Sequence, residues 1–487
     1  MNALGYAALV LWIPLSLLAF ASLRPPVAAL VCLLGGAMFL PCGAIDLPLF
    51  PQLGKEEFTS LACLLGCLVF APARLRRIRP WRGPELLVVV MLVGSVFTYA
   101  TNRDPLVTGP TLRPGSQPTD LLVPGLWLVW GVPFLVGRAL FRRSQDLRLL
   151  LRALVLAALV YSLFVLIELR LSPQFHRWVY GYHQHAFVQT IRGSGYRPMV
   201  FMAHGLVLSL FVALCLIASV ALARARQTVL GLSAGGIALY LGALLVLCKS
   251  AGALAYAALA LPPLLLLSPG RLARGAALVG CLVLAYPALR SLDLLPVETV
   301  LGVAADLFDS ERASSLQARL YNEKEVLDRA TERLFFGWSG YARPQIWDPV
   351  TGQNQTTFDG YWALAIGEGG IVRFGSIFVL LLLPVFRAPR AIARVASQRD
   401  RWMLAGLSLI VAVRVLNQIP NTAIDPYLTL LSGALAGSLE GLAPARQRRR
   451  RAPRPVGAGR GESLPAAAAR SGGGARGSGR PGAAAER

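Results

Sequence analysis

Histidine is well suited to proton transfer and metal binding near neutral pH, and this chain contains four histidines. All of them fall within one stretch of the chain, namely His176, His183, His185 and His204. A catalytic zinc site normally takes three protein ligands, and the sequence places no cysteine close to these histidines. We therefore expect no metal here, and interpret the histidines as loop residues or as groups that hydrogen-bond to a substrate.

The same stretch contains the sequence RGSGYR, in which Arg192 and Arg197 flank Gly193, Ser194 and Gly195. Glycine lets the backbone come close to a ligand, and guanidinium groups form paired hydrogen bonds with phosphate oxygens. The pattern predicts a phosphate-binding site whose cations are Arg192 and Arg197. The alternative is that both arginines simply mark a membrane interface, where such side chains reach towards lipid headgroups.

A second group of arginines lies in the sequence ERASSLQARLYNEKEVLDRATERLFFGW, whose leucines recur at helical spacing. The pattern predicts an amphipathic helix on the membrane surface or over a helix bundle. Arg312 and Arg319 are seven residues apart and share a face of that helix, which makes them candidates for binding an anionic substrate. Arg329 and Arg333 are further basic candidates. Ion pairs with neighbouring glutamates are the alternative explanation for each arginine.

Charged side chains lie directly before and within the first part of the apolar run 360–386. Asp359 stands directly before this run, and Glu368 and Arg373 lie inside it. Asp359 is a candidate general base or, alternatively, a helix N-cap. Charges inside a membrane usually serve a function, and Glu368 and Arg373 could form a buried pair, although a spacing of five is not ideal on one helix. Three polar residues near the end of the next run are candidates for the same cavity: Arg414, Asn417 and Gln418.

Aromatic residues crowd the same polar segments. Some of them fit an interfacial belt, and others offer flat apolar faces with a polar edge to sugar rings. The aromatic residues concerned are Trp178, Tyr180, Tyr182, Tyr196, Trp338, Tyr341, Trp347, Tyr361 and Trp362. Tyr361, beside Asp359, is our candidate for substrate binding in this set.

The composition indicates the scaffold that must position these residues. Of 487 residues, 55% are hydrophobic and 15% are charged, and the mean hydropathy is +0.56. Apolar runs of about 20 residues, the length that crosses a bilayer, recur along the chain and argue against a soluble enzyme. We predict an all-α polytopic membrane protein with 12 or 13 transmembrane helices. The runs are 5–23, 27–45, 57–72, 85–101, 120–138, 149–169, 199–222, 228–247, 251–268, 275–289, 360–386, 402–419 and 427–443.

The distribution of arginine predicts an orientation, because basic residues concentrate in cytoplasmic loops. Alternate short loops are rich in arginine, whereas the intervening loops are longer and hold most of the acidic residues. This places the N-terminus and two long loops, 170–198 and 290–359, outside the cytoplasm. The transmembrane domain spans 1–444, and residues 445–487 read as a disordered, basic cytoplasmic tail. That tail explains much of the net charge of +23 without nucleic-acid binding.

Several segments together resemble the O-antigen ligase and Wzy-like polysaccharide polymerase family of bacterial membrane glycosyltransferases. They are RGSGYRPMVFMAHGL, KSAGALAYAALALP, QARLYNEKEVLDRATERLFFGWSGY and TTFDGYWALAIGEGGIVRFG, within residues 85–440. The resemblance implies a GT-C type helical bundle in the cytoplasmic (inner) membrane. Such an enzyme transfers a glycan from an undecaprenyl-diphosphate carrier to a glycan acceptor at the outer face of that membrane, among membrane lipids and without a metal or other cofactor.

The resemblance also implies roles for particular residues. Arg192 or Arg197, together with Arg319, would hold the diphosphate, and Tyr196 and His204 would orient the carrier or acceptor. The family often has a histidine just ahead of the helix that begins here at Gly360, where this chain has Asp359. This difference leaves the identity of the base open, as well as the choice between a polymerase and a ligase that uses a lipid A-core acceptor. A polytopic transporter or flippase is the alternative from another functional class.

Overall fold

The computed structural model describes residues 1–46, 52–76, 78–79, 81, 83–108, 110–116, 127–193, 195–307, 310–340, 342–422 and 425–443. The predicted basic tail and the candidate residues Ser194 and Tyr341 lie outside these described residues. The described chain is mainly α-helical, and its strands form three short antiparallel hairpins. Residues 1–444 form one compact unit.

Apolar helices dominate the first half of the chain. They are α1 (Ala3–Ser22), α2 (Pro25–Phe39, with a π-helical turn at Val31–Gly35), α3 (Lys55–Phe70), α4 (Pro72–Leu75), α5 (Glu85–Ala100), α6 (Val132–Leu140, after a π-helical turn at Trp127–Gly131), α7 (Ser144–Leu171), α8 (Phe175–Tyr180) and α9 (Gly205–Arg224). A 3₁₀-helix covers Phe187–Thr190.

The second half adds the elements α10 (Ala234–Leu247), α11 (Ala251–Leu266), α12 (Pro269–Ser291), α13 (Val297–Leu307), α14 (Ser310–Thr331), α15 (Tyr361–Ile392), α16 (Gln398–Leu416) and α17 (Pro426–Leu442). The hairpins pair β1 (Leu106–Thr108) with β2 (Thr111–Arg113), β3 (Ile191–Arg192) with β4 (Gly195–Tyr196), and β5 (Thr228–Val229) with β6 (Leu232–Ser233).

Five helices are long and apolar enough to cross a membrane, namely α1, α7, α9, α12 and α15. Five shorter apolar helices accompany them, and each of the predicted apolar runs overlaps one helix of the described chain. Side chains of α9, α16 and α17 are almost all buried, whereas α1, α10 and α11 expose many leucines and valines. The prediction of an all-α membrane protein is therefore confirmed at this level.

A stripe of glycines brings α17 against α6. Gly433, Gly437 and Gly441 recur every four residues, and a Cβ atom at any of them would lie within 2.5 Å of a backbone oxygen of residues 134–142. Such small-residue stripes let helices approach closely where no hydrophobic effect drives them together.

The predicted cytoplasmic loops meet at one end of the bundle. Side-chain contacts join them there: Arg24 with Asp146, Arg138 with Glu85 and Glu440, Arg142 with Glu440, Ser144 with Asp400, and Arg224 over the ring of Trp402. The two predicted long loops pack at the opposite end, which we call the site end. Contacts that join elements there are Lys55 with the Phe201 carbonyl, Thr98 with the Phe336 carbonyl, Arg290 with the Leu320 carbonyl, and Arg414 with Asp425.

The predicted amphipathic helix is present as α14, and it is anchored to the end of α12. Tyr286 Oη donates to Glu323 Oε2 at 2.8 Å, and Arg290 Nη2 donates to the Leu320 carbonyl at 2.5 Å. Burial raises the pKa of Glu323 above its ordinary value. The middle of α14 is thus held at a defined position against the end of α12.

Helix α15 is broken near its beginning, which the sequence pattern does not predict. Gly370 has φ +66° and ψ −168°, a conformation that is essentially restricted to glycine. Segment 334–339 runs alongside the break and completes its hydrogen bonding: Trp338 N to Gly367 O, Ser339 N to Glu368 O, Ile371 N to Leu334 O, and Val372 N to Phe335 O. A non-helical backbone at this depth is tolerated because protein groups satisfy it.

The break also explains a contact that appeared unfavourable from spacing alone. Arg373 Nη1 donates to Glu368 Oε2 at 2.8 Å although the two residues are five apart. On a continuous helix a spacing of five would direct these side chains apart, but the glycine conformation turns the preceding residues back towards Arg373. The pair is partly buried, and Arg373 lines one of the cavities described below.

Candidate functional site

Two cavities open at the site end and share a wall. The first, of about 890 Å³, contains both acidic and basic side chains, and we call it the mixed cavity. The second, of about 900 Å³, is the basic cavity. The residues that line both are Leu206, Arg319, Asn417, Pro420 and Asn421. Residues 188–210, 316–319 and 417–421 therefore converge, although they are far apart in sequence.

The basic cavity has four cationic side chains, and none of the described residues that line it is acidic. The cations are Arg192, Arg197, Lys249 and Arg319. Another part of its lining is mainly apolar, formed by Leu206, Leu210, Ala253, Tyr256 and Leu316. The four positive charges repel one another, and the solvent screens this repulsion less near a protein than it would in bulk water. The arrangement therefore favours an anionic ligand of more than one charge.

Arg197 is the most buried of these cations, with 8% of its surface exposed. It follows strand β4, and its Nη2 donates to the Lys249 carbonyl at 3.2 Å, which ties the hairpin to the α10–α11 turn. Arg192 belongs to strand β3 and is half-buried beside Gly193, whose φ of +55° is easily adopted by glycine. The structure thus brings Arg192 and Arg197, predicted from RGSGYR, into one cavity.

The segment between Arg197 and His204 is not helical, and buried side chains hold it in place. Glu168 at the end of α7 accepts two of its backbone N–H groups at 2.8 Å, and the Tyr161 hydroxyl accepts a third at 3.0 Å. Lys55 Nζ donates to a carbonyl of the same segment at 3.3 Å. A site on a segment held by two other helices, α7 and α3, has little freedom to rearrange.

Arg319 and Asp359 meet at the wall between the two cavities. Arg319 Nε lies 3.8 Å from Asp359 Oδ2, and both side chains are partly exposed. Asn322, one turn further along α14, exchanges hydrogen bonds with the backbone of Thr357 and so holds the chain before Asp359 against α14. The alternative that Asp359 caps a helix is wrong, because the N-cap of α15 is Gly360.

His204 lines the mixed cavity and is the N-cap of α9. Its Nδ1 accepts the backbone N–H of Leu206 at 2.9 Å, so in the neutral ring the hydrogen is on Nε2. Burial, together with the neighbouring His185 and the nearby arginines, lowers the pKa of His204 to about 4. Near neutral pH, His204 is thus an uncharged hydrogen-bond donor rather than a base.

The other histidines do not form a metal site. His176 is buried, and its two ring nitrogens contact the Tyr182 carbonyl at 2.9 Å and the Cys42 amide at 3.2 Å. His185 packs against His204 with ring centroids 4.5 Å apart and the rings tilted by 54°. Among the described residues, no group of three or more histidine, cysteine or acidic side chains has the geometry to hold a metal ion.

The remaining predicted residues are placed as follows. Tyr361 is buried, lines the mixed cavity and packs against Trp130 at a ring distance of 4.9 Å. Tyr196 packs against Phe187 and is not among the residues lining either cavity. Arg312 belongs to α14, but its side chain lies outside the described part of the structure.

Arg329 and Arg333 are structural residues, which corrects their interpretation as basic candidates for the site. Both guanidinium groups lie over the ring of Trp338, at 3.5 and 4.3 Å from its centroid. Arg333 also donates to Asn102 at 2.6 Å, so it attaches the large loop to the end of α5.

Only one of the three polar residues predicted near the end of α16 lines a cavity. Asn417 lines both cavities, whereas Arg414 and Gln418 are fully buried behind the wall. Arg414 forms an ion pair with Asp425 at the start of α17. The pair fixes the α16–α17 corner that carries Asn421.

Several cavity residues are not predicted from the sequence: Lys55, Glu56, Glu57, Lys249 and Asp425. The chain has three lysines, and two of them line these cavities. The scarcity of lysine among so many arginines is a signal that could have identified them. The KEE sequence that begins α3 is a second such signal.

No protein-family model matches the chain, and none of the curated proteins matches its sequence.

Proposed function

We propose that this protein is a membrane glycosyltransferase that uses a polyprenyl-diphosphate-linked glycan as its donor. The observation that carries the proposal is the basic cavity, in which four cations converge with no acidic residue among the described lining. A diphosphate carries more than one negative charge and so can balance a group of cations, and arginine forms paired hydrogen bonds with phosphate oxygens. The apolar part of the lining suits the first isoprene units of a lipid carrier.

The mixed cavity then receives the acceptor. The acceptor hydroxyl oxygen forms a bond with the anomeric carbon of the donor sugar, and the bond from that carbon to the diphosphate oxygen breaks. The diphosphate leaves with the electron pair, and preorganised cations stabilise its charge. Arg319 lies on the shared wall and belongs to both cavities. Asp359, 3.8 Å from Arg319, accepts the hydroxyl proton in this proposal.

The proposal includes a topology. The apolar helices form 12 or 13 spans of a GT-C-like bundle in the bacterial inner membrane, with the site end outside and the C-terminus in the cytoplasm. The arginine-rich loops at the opposite end support this orientation. The product is an extended glycan if the protein is a polymerase, and a glycan on a lipid A-core if it is a ligase.

A transporter or flippase remains the second candidate, and one observation favours it. Broken helices with buried charges are common in secondary transporters, and α15 combines a break at Gly370 with the Glu368–Arg373 pair. The cavities argue for the enzyme, because the cations lie together at one end of the bundle. A transporter would move the lipid-linked glycan between leaflets without changing its covalent structure.

The test is reconstitution of purified protein in vesicles with an undecaprenyl-diphosphate oligosaccharide, followed by mass analysis of the products. We expect glycan transfer, and we expect Arg192→Ala, Arg197→Ala and Arg319→Ala to reduce it. The loss at Arg319 should be about 10²- to 10³-fold. Arg177→Ala is the matched control, because Arg177 is exposed on α8 and lines neither cavity.

Three outcomes discriminate between the candidates. A longer lipid-linked glycan indicates a polymerase, and transfer to an added lipid A-core indicates a ligase. Unchanged glycan on the opposite leaflet indicates a flippase and contradicts the enzyme proposal. Full transfer activity in all three cavity variants contradicts the assignment of the basic cavity to the diphosphate.

A further inference from the structure

Lys249 is the one cation of the basic cavity that neither RGSGYR nor the amphipathic helix supplies. It stands in the short turn between α10 and α11, and its φ is +51°. A residue other than glycine, asparagine or aspartate is uncommon in this conformation, which costs free energy. Such strain persists where the surrounding structure imposes it and is most frequent at functional sites.

Two hydrogen bonds hold Lys249 at the cavity from both ends of the residue. Its carbonyl accepts Arg197 Nη2 at 3.2 Å, and its Nζ donates to the Arg192 carbonyl at 3.1 Å. The backbone contact fixes the turn against the hairpin, while the ammonium group reaches the cavity between the two arginines. An ammonium group has three donors, so two remain for a ligand.

Gly195 makes room for this ammonium group. A Cβ atom at position 195 would lie 2.6 Å from Lys249 Nζ, closer than real Cβ contacts allow. Because Nζ is the end of a flexible side chain, a methyl group at this position would displace the ammonium group and leave the backbone of β4 in place. Gly195, the second glycine of RGSGYR, therefore leaves space over the hairpin that the Lys249 ammonium group occupies.

We infer that Lys249 is a further ligand-binding residue of the basic cavity, whose ammonium group contacts the diphosphate of the donor directly. The inference rests on the proposed function, since it names a residue of the same site. Lys249 keeps its bond to the Arg192 carbonyl and uses its free N–H groups for phosphate oxygens, so no rearrangement of the turn is required.

The test compares variants in the reconstituted transfer assay, with the KM for the lipid-linked donor and inhibition by inorganic diphosphate as readouts. Lys249→Met should raise both the donor KM and the inhibition constant about tenfold, the loss of one charge-assisted hydrogen bond. Lys249→Arg keeps the charge and should restore most of the affinity. Lys324→Met is the matched control, because Lys324 pairs with Asp293 and lines neither cavity.

Gly195→Ala provides an independent measurement that does not remove the lysine. The added methyl group should displace the ammonium group and raise the donor KM several-fold. In the Lys249→Met background the same substitution should have no further effect, because the two changes remove one interaction. A structural role of the turn alone would instead make the two effects add.

The outcomes separate this inference from the proposed function. An active wild-type protein with an unaltered donor KM in Lys249→Met overturns the role of Lys249 and leaves the function standing. A wild-type protein without transfer activity overturns both. If Lys249→Met is not recovered as a single species in detergent, Gly195→Ala decides: an unchanged donor KM in that variant overturns the inference.

Discussion

Gly370 provides the sharpest test of how the large loop and α15 fit together, and we predict that Gly370→Ala is strongly destabilising. The added Cβ atom would lie 2.2 Å from the Phe335 carbonyl oxygen and 2.5 Å from that of Leu334. Ordinary van der Waals contact begins at 3.4 Å, so the two segments must separate by about 1 Å. Because the obstructing atoms are backbone atoms, no side chain can rotate away.

The magnitude follows from two contributions. The conformation at Gly370 is strained for alanine, which costs about 1–3 kcal/mol. Separating the segments lengthens the bonds from Ile371 N to Leu334 O, now 2.8 Å, and from Val372 N to Phe335 O, now 3.3 Å. Each buried group left without a partner costs about 1–3 kcal/mol. The free energy of unfolding should therefore fall by about 3–9 kcal/mol, which is large for one substitution.

The assay is thermal unfolding of the purified protein in detergent, followed by tryptophan fluorescence. Gly375→Ala on the same helix is the control, because a Cβ atom there meets nothing within 4 Å. We expect Tm to fall by more than about 5 °C for Gly370→Ala and to remain near the wild-type value for Gly375→Ala. Equal Tm values for the two variants would refute the packing of segment 334–339 against the break.

Two further predictions concern the mixed cavity. Asp359→Asn should reduce transfer by about 10²- to 10⁴-fold with an unaltered donor KM, as expected for loss of a general base. Asp348→Asn is the control, because Asp348 is a half-buried acid of the same loop that lines neither cavity. Unchanged turnover in Asp359→Asn would exclude Asp359 as the base. His204→Asn tests a pH dependence, since asparagine can still cap α9. Because folding lowers the pKa of His204 to about 4, the unfolded chain binds a proton more readily, so the wild-type protein loses stability as pH falls from about 6.5 towards 4. Tm measured across that range should fall further in the wild-type protein than in the variant, and equal losses would contradict a neutral buried His204.

The sequence determines the elements of this protein. Apolar runs predict its helices to within several residues, because a bilayer demands some twenty apolar residues wherever a helix crosses it. Helical spacing of leucines predicts α14, and arginine content distinguishes the two ends of the bundle. The arginine pair of RGSGYR and Arg319 were recognisable as candidates for an anion site, because guanidinium groups are seldom placed near a membrane without an anion or an interface to contact.

Only the tertiary structure decides which of these candidates belong together. Arg319 reaches the hairpin of Arg192 and Arg197 because contacts with α12 and with Thr357 hold α14 over that end of the bundle. Arg329 lies on the same helix and Arg333 just after its end, yet both pack against Trp338 instead. The break in α15 likewise depends on hydrogen bonds from residues some thirty positions earlier. Local periodicity reports which face of a helix is apolar, whereas the partner of a polar side chain is set by long-range packing that periodicity does not contain.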